Sequence, residues 1–270
     1  MAQYYNPQKN AKYLFHPDSK MPHKISRSKI DLFIECPRCF YLDQRLGVGR
    51  PPSFPFNLNN AVDELMKKEF DIHRAKQTAH PLAKTYSIDA VPFQNEKMEE
   101  WRDALRRGVF CLHKPTNLIV RGGIDDIWVN PKGELIVVDY KATSKKDEVN
   151  LDAEWQNSYK RQMEVYQWLF RHNGFKVSDT GYFIYANGIT DRKAFDGKLE
   201  FDIKIIPYTG SDKWIDNTLE KIKETLMSEK LPAKGVECNY CSYREAAGKI
   251  LLEKHLEEKK NERKDTNKLF

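Results

Sequence analysis

The chain of 270 residues carries 45 Lys and Arg against 39 Asp and Glu, a formal charge of +6, and 40% of it is apolar. That apolar share fills a core and excludes a wholly disordered chain, and the length fits one large domain with additions or two small ones. The polar start from Met1 to Asn6, with no apolar run near the ~18 to 20 residues a bilayer crossing needs, predicts neither signal peptide nor membrane span, so a cytoplasmic protein is expected.

Residues 1–50 hold nine Lys/Arg against four Asp/Glu, which puts +5 of the charge at one end. A solvated surface or an anionic polymer as partner both suit such an excess. Residues 1–24 are polar and without periodicity, and read as a flexible lead or a strap. Ser26 or Ser28 caps a predicted helix with Ile30, Phe33 and Ile34, which runs into Cys36-Pro37-Arg38-Cys39. A Gly- and Pro-rich loop at 47–55 comes next. Ala61, Leu65, Met66 and Phe70 then recur at helical spacing. A strand near 86–91 and a helix near 96–107 follow. Stretches 118–129 and 134–140 are rich in Ile, Val and Trp, with apolar residues on both parities, so they predict strands buried on both faces. A helix over 151–172, strands at 181–185 and 199–206 and a helix over 214–227 complete the order. The tail from Leu251 mixes six Lys/Arg with five Asp/Glu and predicts a solvent-facing helix. No internal repeat is present.

The centre of the chain carries the chemistry. Asn130-Pro131-Lys132-Gly133 has the residue order of a type I turn, and with Gly133 left-handed it closes a three-residue hairpin. Asn130 then pairs with Glu134, partner numbers sum to 264, and Asp125 faces Asp139 while Asp126 points the other way. Opposed like charges are destabilising, and a divalent cation offsets them by taking carboxylate oxygens. Lys141, two residues past Asp139, shares its face and falls opposite Gly123, whose missing side chain leaves room for a substrate. Two carboxylates with waters suit Mg2+ or Mn2+, which lowers the pKa of a bound water and stabilises charge at a phosphoryl centre. Phosphodiester hydrolysis is the matching reaction, with Lys141 orienting water or meeting developing charge. An ordinary Asp139–Lys141 ion pair is the plainer reading.

Gly123-Ile124-Asp125, Asp139-Tyr140-Lys141 and Gln162-Met163-Glu164-Val165-Tyr166 together resemble the PD-(D/E)XK nuclease superfamily, above all its RecB-type branch and the CRISPR-associated exonucleases within it. The resemblance implies an α/β fold, a restriction-endonuclease-like central mixed sheet flanked by helices, over one domain at 25–245, with a lead at 1–24 and a charged tail at 246–270. It implies that Asp125, Asp139 and Lys141 are catalytic, and that Gln162 and Tyr166, four apart on one helical face, line the DNA path. Asp63, in Asn59-Asn60-Ala61-Val62-Asp63, stands where the family often has a His metal ligand, although a helix N-terminal acid explains it equally well. Ser28 to Tyr41 resembles the stretch that braces the DNA entrance, where Arg27, Lys29, Arg38 and Arg45 would meet phosphates. DNA is thus the expected partner, a helicase a further one by analogy, and repair, recombination or defence the setting. A DNA-binding module that has lost hydrolysis and a metal-clasped interaction protein are the rival expectations.

Cys36, Cys39, Cys238 and Cys241 form two C-x-x-C pairs separated by about 200 residues. In a reducing compartment such pairs bind metal more often than they form disulfides. Some nucleases of the resembled branch clasp their ends with an iron–sulfur cluster held by one N-terminal and three C-terminal cysteines, whereas the arrangement here is two plus two. A [4Fe-4S] cluster, structural Zn2+ and metal-free thiols all stay open, either metal serving the fold rather than catalysis. Cys111 has no partner in sequence and is expected as a small buried apolar residue.

Overall fold

The computed structural model describes residues 10–52 and 56–266; parts of the expected lead (1–9) and loop (53–55) lie outside them. In chain order the elements are β1 (His23–Ser26), α1 (Arg27–Glu35), α2 (Pro37–Gln44), α3 (Asn57–Lys76), α4 (Pro81–Thr85), β2 (Val91–Pro92), α5 (Met98–Arg102), β3 (Val109–His113), β4 (Leu118–Gly122), β5 (Asp126–Val129), β6 (Leu135–Thr143), α6 (Asn157–His172), β7 (Thr180–Gly188), β8 (Phe201–Thr209), α7 (Ile215–Met227) and α8 (Asn239–Thr266). They group into two units. One joins 20–31 to 53–223, and the other joins the described parts of 1–19 and 224–270 to 32–52.

The larger unit holds a five-stranded sheet of order β2-β5-β6-β7-β8, in which only β6 and β7 run parallel, and a three-stranded sheet of order β1-β4-β3. The first is the mixed sheet the resemblance implies. Its central strand β6 touches helices on both sides, which is why its apolar residues occupy both parities. Ile136, Val138 and Tyr140 pack with Val62, Met66 and Phe70 of α3. Val137, Asp139 and Lys141 therefore project to the other face, where Gln162 of α6 meets Asp139. On α6, Met163, Val165, Tyr166, Leu169 and Phe170 are all buried.

The hairpin matches the expected register. Gly133 has φ +71°, its N–H donates to the Asn130 carbonyl, and Asp126 pairs with Val138, a sum of 264. Other expectations need correction. Stretch 118–129 is two strands in two sheets, broken at Gly122 to Asp125. Glycine is needed at that break because a Cβ on Gly122 would lie 2.5 Å from Tyr166 Cε1 and one on Gly123 would lie 2.5 Å from Ala104 Cα. The bare face of Gly123 thus admits Ala104 rather than a substrate, and the β5–β6 ladder ends at Asp126–Val138, short of Gly123 and Lys141. The strand near 86–91 shrinks to Val91–Pro92 behind an unforeseen α4, and the helix near 96–107 to α5. Strands β1 and β3 went unread, and Cys111 is half-buried on β3 instead of filling the core.

In the smaller unit, Cys36 caps α2 and Pro37 occupies its first turn, where a missing N–H costs nothing. Phe33 and Phe40 meet edge to face at 5.3 Å, and the Tyr41 hydroxyl donates to the Ser228 carbonyl at 2.9 Å. Helix α8 touches α2, and from Leu251 to Asn261 it is exposed, in keeping with its mixed charges. No helix among the described residues is long and apolar enough to cross a membrane.

Candidate active site

The C-terminal half of β6 presents Asp139 and Lys141 on one side of the strand. Asp139 is fully buried. Its Oδ1 accepts a hydrogen bond from Gln162 Nε2 at 2.7 Å. Its Oδ2 forms an ion pair with the Lys141 ammonium yet accepts no aligned hydrogen bond. Burial pushes this carboxyl up to about 7, against the pull of the Lys141 charge and with a further push from Asp125. Burial opposes the charge of Lys141 as well, but Asp139 and Asp125 hold its pKa above the ordinary value. The same ammonium lies 4.5 Å from the Tyr159 ring centroid.

Asp125 stands just before β5, half-buried, with Oδ2 accepting the Tyr140 N–H at 2.9 Å. Its other oxygen lies 3.3 Å from Lys67 Nζ. Lys67 also donates to Asp63 Oδ2 at 2.7 Å, one turn earlier on α3. Burial first, and then the Asp125 charge, raise the Asp63 carboxyl. Asp63, Asp125, Asp139 and Lys141 thus fall within one electrostatic neighbourhood. Lys67 is the member that sequence reasoning missed. Its spacing from Asp63 suggests only a helical i,i+4 pair, and nothing in the linear order points it at Asp125.

Asp126, the neighbouring acid, belongs to a different set. It is fully buried and pairs with Arg74, with Arg102 3.5 Å away. It accepts hydrogen bonds from the Ile127 N–H at 2.8 Å, the Tyr140 hydroxyl at 2.8 Å and Trp128 Nε1 at 3.3 Å. Asp71 pairs with both arginines, and the exposed Glu99 lies 3.3 Å from Arg102. These charges balance one another away from the Asp139 face.

Gln162 and Tyr166 sit together on α6, with Gln162 Nε2 3.2 Å from the Tyr166 hydroxyl. Because Gln162 is buried and bonded to Asp139, it orients a carboxylate. Tyr166 is buried against Gly122.

The family model of the PD-(D/E)XK nuclease superfamily matches residues 24–246. The chain belongs to this superfamily. Among solved structures, "Crystal structure of SSO0001" is 18% identical, with 83% of this chain and 84% of that chain covered and a TM-score of 0.34. No curated protein matches the chain.

Superfamily nucleases typically use divalent metals, and Asp63, Asp125 and Asp139 offer the carboxylate donors such ions take, although among the described residues only the four cysteines already stand close enough to share one ion. Asp139, Asp125 and Asp63 each already turn a carboxylate oxygen toward a lysine ammonium, Lys141 for the first and Lys67 for the other two. This all-oxygen set suits a hard ion such as Mg2+ or Mn2+.

The four cysteines of the two pairs come together in the smaller unit, all buried, with every Sγ within 4.8 Å of the others, so they could hold a metal. Cys36 Sγ lies 3.7 Å from Cys241, and Cys39 Sγ lies 3.5 Å from both Cys238 and Cys241. Burial raises the Cys36 thiol, but donors from the Gly235 and Cys39 backbones bring it down to about 6. Burial raises Cys39 and Cys241. Arg38, expected at phosphates, is instead engaged with Glu245 and the Pro232 carbonyl.

Proposed function

We propose that this chain is a Mg2+- or Mn2+-dependent deoxyribonuclease of the RecB type. The observation that carries the reading is the buried Asp139 carboxylate, bonded to Gln162 through one oxygen, with Lys141 on the same strand face and Asp125 close enough to raise its pKa. Asp125 and Asp139 would hold the metal, and Asp63 would add a ligand. A bound ion of this kind supplies an acidified water and neutralises charge on the phosphoryl group. Gln162 fixes the rotamer of Asp139 through Oδ1, so that Oδ2 faces Lys141 Nζ and an ion would share or compete for that oxygen. Lys141, held charged between two carboxylates, is placed to orient the attacking water or to meet negative charge that develops on a phosphate oxygen. Tyr166 buttresses Gln162. DNA is the proposed substrate, with repair, recombination or defence in the cytoplasm as the setting and a helicase as a proposed partner.

One observation favours a second reading, a nucleic-acid-binding module without hydrolysis. The Lys67 ammonium already bridges Asp63 and Asp125, doing electrostatically what a metal would do. Incubation with single-stranded and duplex DNA, with Mg2+, Mn2+ or chelator, separates the two. Cleavage that requires either ion supports the nuclease. DNA binding that persists without cleavage in both ions supports the second reading.

A further inference from the structure

We infer that the four cysteines hold one tetrahedral divalent ion, zinc by its preference for thiolate, rather than a four-iron cluster. The size of the site decides this. Four thiolates about 2.3 Å from one ion stand about 3.8 Å apart at the corners of a tetrahedron. The separations of 3.5 Å, 3.5 Å and 3.7 Å, with none of the six above 4.8 Å, match that figure. A cubane binds each thiolate to its own iron, so its sulfurs spread to roughly 6 Å, each being about 2.3 Å outside the metal it binds.

The surroundings hold the sulfurs at the smaller spacing. Cys36 Sγ accepts N–H bonds from Gly235 at 3.2 Å and Cys39 at 3.4 Å, which tie two chain segments to one sulfur. Gly235 is pressed against the Glu35 carbonyl and the Cys36 Cα so closely that no side chain fits there. Moving Cys36 Sγ outward to the cluster spacing would break both bonds or pull these backbones apart.

Charge suits a metal–thiolate centre here but does not separate the two candidates, because a [4Fe-4S]2+ core with four thiolates carries the same net charge as the zinc site. Four thiolates around a divalent ion leave two negative charges, and the site provides for them. Arg50 donates to Cys238 Sγ at 3.3 Å while anchored by Glu35 at 2.8 Å. Each C-x-x-C pair also spans a helix start, that of α2 at Pro37 and that of α8 at Asn239, where the helix dipole favours negative charge. Binding balances as one divalent ion taken up, its water ligands released and the thiol protons displaced to solvent.

The test is metal analysis of the full chain, expressed with iron and zinc both supplied and purified without oxygen. The result expected is one zinc per chain, no visible colour, and failure of iron and sulfide to build a stoichiometric cluster on metal-stripped protein. Cobalt should bind in zinc's place and show the strong visible bands of a tetrahedral thiolate site. Arg50→Gln should weaken zinc about 10- to 100-fold in competition with a chelator. A brown protein with four irons per chain, or a chain that takes up neither zinc nor cobalt, overturns the inference, and unchanged zinc affinity in Arg50→Gln overturns the part assigned to Arg50.

Discussion

Asp125 and Asp126 are adjacent acids on opposite sides of the chain, and replacing each by Asn should have opposite consequences. Asp126 has no exposed surface, and the Arg74 and Arg102 side chains around it are only 10% and 9% exposed. Asn keeps the volume but removes the charge, so two buried guanidinium groups are left with Asp71, itself 38% exposed, and with Glu99, 80% exposed, beside Arg102. Breaking a buried pair from one side costs about 3–5 kcal/mol. Against a total of about 5–15 kcal/mol for a domain, Asp126→Asn should lose a fifth or more of the stability. Asp125→Asn loses a partly buried pair with Lys67, each side chain 22% exposed and worth about 1 kcal/mol, and some attraction to Lys141, but it keeps an acceptor for the Tyr140 N–H and relieves repulsion with Asp139. Urea denaturation followed by circular dichroism, compared at constant m-value, measures both. The reasoning fails if Asp126→Asn costs under 1 kcal/mol, or if Asp125→Asn costs as much as Asp126→Asn.

Three further outcomes follow from the geometry. Burial raises the folded pKa of Asp139 to about 7, so the fold favours its protonated form. Its contribution is full below the ordinary carboxylate range and is lost as pH rises through about 7. Metal-free protein should therefore lose stability over that window, and the slope should flatten in Asp139→Asn. Lys67→Ala removes a cation that competes for Asp63 and Asp125, and at about 1 kcal/mol for such a pair Mn2+ should bind about fivefold more tightly by calorimetry; unchanged or weaker affinity would count against competition. Gly123→Ala places a methyl group against the Ala104 backbone and should cost about 1–3 kcal/mol by overpacking, read from the thermal midpoint.

The hairpin was legible because turn chemistry sets register locally. Asn130, Pro131 and Gly133 alone determine that Asp126 pairs with Val138 and that Asp125 and Asp126 diverge. The helical face of Gln162 and Tyr166 followed equally from a spacing of four. The break of 118–129 into two strands did not, since it depends on the approach of Tyr166 and Ala104 to two glycines from distant parts of the chain. Strand β1 was hidden for a similar reason, being four residues whose ladder among the described residues is a parallel one to β4, almost 100 residues on. Lys67 was visible as a helical neighbour of Asp63, but its reach to Asp125 is a tertiary fact. The cysteine spacing revealed the pairing of two motifs, while the size of the site needed the sulfur positions.

The most direct test of the central proposal is single-turnover cleavage of DNA at saturating Mn2+ by the parent chain, Asp139→Ala and Lys141→Ala, each first shown to be folded. Cleavage by the parent chain with loss of at least a thousandfold in both variants is the expected result. Parent-like cleavage by either variant would contradict the assignment of these two side chains to the hydrolytic centre.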